Sequence, residues 1–257
     1  MKTIYQSFQI AISFFTVLPV FKHYEWTSKR MRYVPIMMGI VGLIIGCLTA
    51  LIYVLLGRFN FEFSELITTV ILVSFFTYIT GGLHIDALMD SADAHFSRRD
   101  IERKLEIMVD SRVGAFAVMS LFFYMIILLL TVFLFVSLKL SYIYLIFIPI
   151  YSRMLAGLMN YRFKYAKEDG LARIYGEALK KKDQIVIFVN YIICSGLLFY
   201  ITASIISLVL PLISILSYHY YFRFTKKNFG GITGDLLGNY ILLSELAMLV
   251  GIIGLSL

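Results

Sequence analysis

Long apolar stretches separated by short polar segments dominate the chain. Stretches close to the roughly 20 residues that a transmembrane helix needs occur at 36–56, 63–80, 113–137, 141–160, 185–201, 204–222 and 236–257. The uncharged run at 185–222 is too long for one helix, and we divide it near 202–204. This pattern predicts an all-α fold, a polytopic integral membrane protein with about seven transmembrane helices.

The first twenty residues form a different kind of segment. Residues 4–20 are apolar but short, and Gln6, Ser7 and Gln9 interrupt them before Pro19. We interpret this stretch as an N-terminal interfacial or re-entrant helix. A removable signal peptide is disfavoured because no small-residue cleavage site follows a basic start.

Composition supports a membrane protein with one domain. Of 257 residues, 60% are hydrophobic and only 15% are charged, which is too apolar for an ordinary soluble domain. We find no internal repeat or soluble second domain, so residues 1–257 are predicted to form a single membrane-embedded domain. Cys47 and Cys194 lie in separate predicted spans, so neither a disulfide framework nor a zinc site is indicated.

The positions of the basic residues predict the orientation. Lys and Arg number four in 21–35, five in 82–112, seven in 161–184 and three in 223–235, whereas the opposite connections hold only Arg58 and Lys139. With seven spans, the four basic segments fall on one side, which the positive-inside rule makes cytoplasmic. This placement explains the net charge of +7 without nucleic acid as a partner. It predicts a multi-pass protein of the cytoplasmic (inner) membrane, with lipid contacts that include the lysines at 180–182.

Three carboxylates, Asp86, Asp90 and Asp93, follow an apolar run directly. On a helix their side chains lie within about 60° of one another. Two such charges about 5 Å apart repel by roughly 3 kcal/mol at an effective dielectric near 20. A solvated helix face paired with Arg98 and Arg99 is the plain alternative. We favour a site for a hard divalent cation, Mg²⁺ before Ca²⁺ or Mn²⁺, that leaves positions for substrate phosphates.

Other ionisable residues are expected near this cluster. The segment from Ser97 to Met119 is predicted to form a helix that runs into the third span and carries Asp110 and Arg112 where the apolar part starts. Arg153 lies inside the fourth span, where it either snorkels to the cytoplasmic surface or clamps a substrate phosphate.

A glycine-rich segment precedes the last span. Backbone amides at the start of a helix can cradle an anion. The candidate phosphate-binding residues are Gly230, Gly231, Thr233, Gly234 and Asp235.

Taken together, these motifs resemble the cobalamin synthase (adenosylcobinamide-GDP ribazoletransferase) family over most of the chain. The similar elements are 15–19 (Phe-Thr-Val-Leu-Pro), 81–86 with Asp90 and Asp93, 105–114, 152–153, 169–171 and 230–235. The sequence departs from the family pattern at Ala87 and Ala94, where glycines are common. Because alanine favours continuous helix, these changes put the local backbone shape in doubt, and the carboxylates are retained.

The resemblance implies a Mg²⁺-dependent phosphotransferase that acts late in the nucleotide-loop assembly of vitamin B12. Alpha-ribazole, or its 5′-phosphate, would attack the cobinamide-side phosphorus of adenosylcobinamide-GDP and release GMP. The implied catalytic residues are Asp86, Asp90, Asp93 and His84; the implied metal ligands are the three aspartates and Asp110; and Arg112, Arg153 and the 230–235 segment would bind substrate. Whether a carboxylate or His84 is the general base, and whether the protein forms an oligomer, stays open.

Two other functions fit parts of the pattern. A CDP-alcohol-type phosphotransferase of phospholipid synthesis also clusters aspartates at a membrane boundary, but its first two aspartates are separated by two residues and here by three. A secondary transporter would carry ionisable residues near mid-membrane, whereas nearly all of these lie at the predicted cytoplasmic edge.

Overall fold

The structure, a computed structural model, describes residues 2–59, 62–162, 166 and 179–257. The motif predicted at 169–171 therefore lies outside the described residues. The described part of the chain forms helices and no strand, as predicted: α1 (Lys2–Phe15), α2 (Ser28–Met31), α3 (Val34–Leu56), α4 (Ser64–Ile79), α5 (Leu83–Phe96), α6 (Ile101–Ile107), α7 (Ala115–Ser137), α8 (Tyr142–Arg162), α9 (Lys181–Thr202), α10 (Ile206–Phe229) and α11 (Gly234–Ser256).

The multi-pass membrane architecture is confirmed, but the count of seven spans is not. By length and composition, five described helices can cross a membrane: α3, α7, α8, α9 and α11. A sixth is reached only if α4 and α5, which meet at 82°, count as one span. The 16 residues of α4 extend about 24 Å at 1.5 Å per residue, less than a hydrocarbon core of about 30 Å. We assign α5 to the membrane boundary, outside the spans, because it turns almost perpendicular to α4.

Helix α1 is too short to span and packs on the bundle instead. Its 14 residues extend about 21 Å, and Ile10 and Ala11 are buried against residues of α3 and α4. The polar residues that interrupt the apolar pattern hold the segment after α1. Gln6 accepts a hydrogen bond from Arg30 Nε at 3.0 Å, and Gln9 accepts one from the Phe21 amide at 3.0 Å. Polar positions here therefore serve tertiary packing.

Helices α3 and α8 pack with their backbones close together. A Cβ atom added to Gly42 would lie 2.2 Å from the Pro149 carbonyl oxygen, and one added to Gly46 would lie 2.5 Å from that of Ile146. Small residues four positions apart let helices approach closely where lipid gives no hydrophobic driving force. This contact fixes α8, and with it Arg153, relative to the N-terminal half of the chain.

The helix predicted from Ser97 to Met119 is wrong as a continuous element. Helix α6 ends at Ile107, and α7 begins only at Ala115. Asp100 starts α6 by accepting a hydrogen bond from the Arg103 amide at 2.8 Å, as an N-cap residue does. The connection at 108–114 folds back because its last residue, Gly114, contacts α5.

Candidate active site

Helix α5 carries the aspartate motif and begins after a left-handed turn at Gly81 and Gly82. The helix runs without interruption through Ala87 and Ala94, whose side chains are both buried. The doubt raised by these alanines is thereby resolved in favour of regular helix. A Cβ atom on Gly238 of α11 would lie 2.7 Å from that of Ala87, so α11 packs directly on this face.

Asp90 is the electrostatic centre of the carboxylate cluster. Burial, followed by the negative charges of Asp86, Asp235 and Asp93, raises the pKa of Asp90 to about 7. The three aspartates of α5 therefore interact, as their common helical face predicts, and Asp235 from the start of α11 joins them. Within the described residues, the Asp86 and Asp90 carboxylates have no hydrogen-bond or ion-pair partner. Like charges held together in this way favour a bound cation.

Asp93 has a different environment because it caps helix α7. One carboxylate oxygen accepts a hydrogen bond from the Gly114 amide at 2.6 Å, and the other accepts one from the Ala117 amide at 2.8 Å. A helix N-terminus has unpaired amides and a positive dipole end, both of which attract a carboxylate. A Cβ atom on Gly114 would lie 2.5 Å from Asp93 Oδ1, so glycine is required for the contact. Asp93 thus ties α5 to α7, a role that the sequence did not predict.

Asp110, which was predicted among the metal ligands, is paired with Arg112 in the structure. Its carboxylate accepts hydrogen bonds from Arg112, whose Nη2 lies 2.6 Å from Asp110 Oδ2. These hydrogen bonds hold the pKa of Asp110 at about 2, and Asp110 is not among the charges that act on Asp90. The Arg112 side chain is 86% exposed and can reach a substrate in solution. The structure places Asp235 beside the aspartates of α5, and metal binding by Asp110 stays a prediction.

His84 lies on the other side of α5. It is about 200° around the helix from Asp86, about 180° from Asp93 and about 120° from Asp90. Burial, followed by the positive charge of Arg153, lowers the pKa of His84 to about 3, so the imidazole is neutral near pH 7. The structure does not place it on the carboxylate face, and this position does not favour His84 as the general base.

Arg153 is buried in an ion pair and does not snorkel. Its side chain and that of Glu245 in α11 are each 2% exposed, and Nη1 donates to Glu245 Oε1. The Ser152 hydroxyl donates to the same oxygen at 2.7 Å. Pairing is the usual fate of opposite charges inside spans, and the lone carboxylate in the last span was the signal that could have identified this partner. A direct phosphate contact of Arg153 stays a prediction.

The glycine-rich segment is used partly for packing. Gly230 ends α10 with φ 72°, and Gly231 and Thr233 are buried. The Thr233 hydroxyl accepts a hydrogen bond from the Leu236 amide at 3.2 Å and caps α11. Gly234 and Asp235 line a space of about 300 Å³ that His84 also lines. Phosphate binding by the segment stays a prediction.

The residues present fit a magnesium ion only in part. Among the residues that the structure describes, no group of three or more His, Cys, Asp or Glu side chains lies close enough to hold one ion. The donor set nevertheless consists of carboxylate oxygens that repel one another at Asp90. Mg²⁺ commonly takes one or two carboxylates and fills its remaining positions with water and substrate phosphates. One or two of the carboxylates of Asp86, Asp90 and Asp235, completed by water and substrate phosphates, fit that mode of binding.

Comparison with known proteins gives matches over the whole chain. A family model described as cobalamin-5-phosphate synthase matches residues 7–253. An adenosylcobinamide-GDP ribazoletransferase of Clostridium perfringens is 32% identical over 255 residues, which cover 98% of this chain and all of the relative. Relatives with the same name from a Geobacillus species and from Geobacillus kaustophilus are 34% and 33% identical, and each match covers 94% of this chain and 92% of the relative. No solved structure matches the chain.

Proposed function

The chain belongs to the cobalamin-5-phosphate synthase family, and we propose that it transfers the cobinamide-phosphate group of adenosylcobinamide-GDP to alpha-ribazole or its 5′-phosphate, with release of GMP. The observation that carries this proposal is the group of carboxylates around Asp90, which draws on both α5 and α11. Such a group suits a reaction between anionic substrates, because it can hold cations that neutralise a diphosphate.

The reaction needs a hydroxyl nucleophile at a phosphorus atom that carries negative oxygens. The ribazole hydroxyl oxygen forms the new P–O bond, the bond from that phosphorus to the GMP oxygen breaks, and the hydroxyl proton passes to a carboxylate. Asp86 and Asp90 are the candidates for this proton, because Asp93 is held by the α7 amides.

We propose Mg²⁺ as the cofactor, held by one or two carboxylates from the group Asp86, Asp90 and Asp235 together with phosphate oxygens of the substrate. When bound, the ion would neutralise diphosphate oxygens and stabilise the departing GMP. The protein supplies the cleft and the cationic side chain that would hold the substrate beside this ion. Asp86 lines an open cleft of about 600 Å³ between the end of α1 and the start of α5, which suits the bulky nucleotide substrate. Arg112 is exposed and provides a bidentate group for a phosphate.

The proposed site faces the cytoplasm at the inner membrane. If α4 and α10 cross the membrane together with the five helices named above, as the predicted seven spans require, the α5–α7 connection, the start of α9 and the end of α10 lie on one side. All three are rich in Lys and Arg, and the positive-inside rule places such connections in the cytoplasm. Nucleotide substrates are made there, so the orientation agrees with the proposed chemistry.

The test is GMP release by purified protein in nanodiscs. With adenosylcobinamide-GDP, alpha-ribazole and Mg²⁺, GMP and the joined corrinoid should appear in equal amounts. Omission of alpha-ribazole, or addition of EDTA, should abolish both products. Release of CMP from a CDP-alcohol, with no GMP from the corrinoid substrate, would show a phospholipid-type phosphotransferase and overturn the proposal.

A further inference from the structure

A second space adjoins the carboxylates on the inner side of α5. This cavity of about 300 Å³ lies between the end of α1, the start of α3, α5, α8 and the start of α11. Its wall is apolar except at His84, Asn160 and Asp235, and includes the rings of Phe15 and Pro35. Sites for small ligands have this composition, a mainly apolar lining with a few polar groups that fix orientation.

His84 is the polar group that most needs a partner in this cavity. The residue is 3% exposed, and neither ring nitrogen has a hydrogen-bond partner. A buried polar group without a partner costs stability. A ligand that hydrogen-bonds to the imidazole would remove that cost, so the histidine marks the position where a polar atom of the ligand is expected.

We propose that this cavity binds the dimethylbenzimidazole ring of the ribazole substrate, with its free ring nitrogen hydrogen-bonded to His84. The inference rests on the proposed function and assigns one substrate to one cavity. A two-ring base with two methyl groups matches a mainly apolar wall in which His84, Asn160 and Asp235 are the polar side chains. A corrin macrocycle is too large for the space. Guanine carries polar atoms along most of its edge, and much of this wall offers them no partner.

Asp235 belongs both to the cavity wall and to the carboxylates that we propose act in the reaction. Asp235 lines the cavity and is also one of the charges that act on Asp90. The cavity and the open cleft that holds Asp86 share Phe14 and Leu83. A base seated against Phe15 would therefore direct its ribose past Asp235, and the ribose hydroxyl would reach the carboxylates where the phosphorus is attacked.

The first test compares ligands on the unmodified protein and needs no turnover. Equilibrium dialysis with nanodisc-embedded protein would measure alpha-ribazole, the same riboside built on dimethylindole, and the riboside of unmethylated benzimidazole. The indole compound lacks the acceptor nitrogen and should bind roughly tenfold more weakly, as expected for one hydrogen bond. Loss of the two methyl groups should also weaken binding roughly tenfold. Equal binding of all three ribosides would overturn the proposal.

The second test asks whether His84 is the residue that hydrogen-bonds to the free ring nitrogen of the ligand. In the variant His84→Leu, alpha-ribazole and the indole riboside should bind equally, whereas His84→Gln should retain part of the preference. The matched control is His95→Gln, on the same helix but at a different cavity, which should leave the preference unchanged. A preference that persists in His84→Leu, or displacement of alpha-ribazole by guanosine, would overturn the assignment. Because binding is measured without GMP release, failure of the proposed reaction would be seen separately.

Discussion

Removing the buried cation at Arg153 should destabilise the protein strongly. In Arg153→Met the buried carboxylate of Glu245 would lose its cationic partner and keep the hydrogen bond from the Ser152 hydroxyl. Breaking a buried ion pair by removing one partner typically costs about 3–5 kcal/mol, because an uncompensated charge stays buried. We expect a loss of that size in the free energy of unfolding.

The double variant Arg153→Met/Glu245→Leu should recover most of this loss. Replacing both members of a buried pair by apolar residues of similar size is often neutral, so we expect stability within about 1 kcal/mol of the parent protein. The matched control is Arg112→Met, which breaks an ion pair at the surface. Screening by water makes exposed pairs weak, and this variant should unfold like the parent.

Stability would be measured by SDS titration in mixed micelles, and GMP release would be measured on the same samples. If Arg153→Met is as stable as the parent, or if the double variant is as unstable as the single one, the ion-pair reasoning is refuted. The KM for adenosylcobinamide-GDP shows whether Arg153 also contacts a substrate phosphate. A well-folded double variant with an unchanged KM for adenosylcobinamide-GDP would limit Arg153 to pairing, whereas a raised KM would show that it contacts a phosphate.

Three further outcomes are expected. Gly114→Val should lower the free energy of unfolding by about 2–3 kcal/mol in SDS titration, because the new Cβ would displace the Asp93 carboxylate from the amides that it caps; a stability equal to that of the parent would contradict the capping role. Asp90→Asn should reduce GMP release by orders of magnitude and remove the thermal stabilisation by Mg²⁺. The metal-free variant should be no less stable than the parent protein, because a repulsion between like charges is lost. Full activity of this variant would exclude Asp90 from the site. Single cysteines at Arg99 and Lys227, introduced into a cysteine-free background, should react with impermeant thiol reagents only after the cells are opened, and labelling of intact cells would refute the cytoplasmic orientation.

Periodicity alone predicted much of the helical framework. Each apolar stretch identified as a span contains a helix, and the division near 202–204 coincides with the end of α9 and a left-handed residue at Ala203. The number of crossings was harder to predict, because apolar composition does not show that α4 is short and continues into α5 at 82°. Whether such a pair enters the membrane depends on packing between helices, which a hydropathy pattern does not contain.

In the candidate site, too, the arrangement of residues on one helix could be predicted from the sequence. The contacts between residues far apart in the sequence could not. A helical turn of about 100° per residue was enough to place the α5 aspartates together and would also have placed His84 about 120° or more from each of them. The partners of these residues come from far along the chain: the α7 amides for Asp93, and Asp235 for Asp90. Sequence spacing could not assign Asp235 to this cluster in place of Asp110, because that choice depends on which helix packs on α5. The close contact of Gly238 with Ala87 holds the start of α11 against α5, and Asp235 thereby comes within electrostatic reach of Asp90.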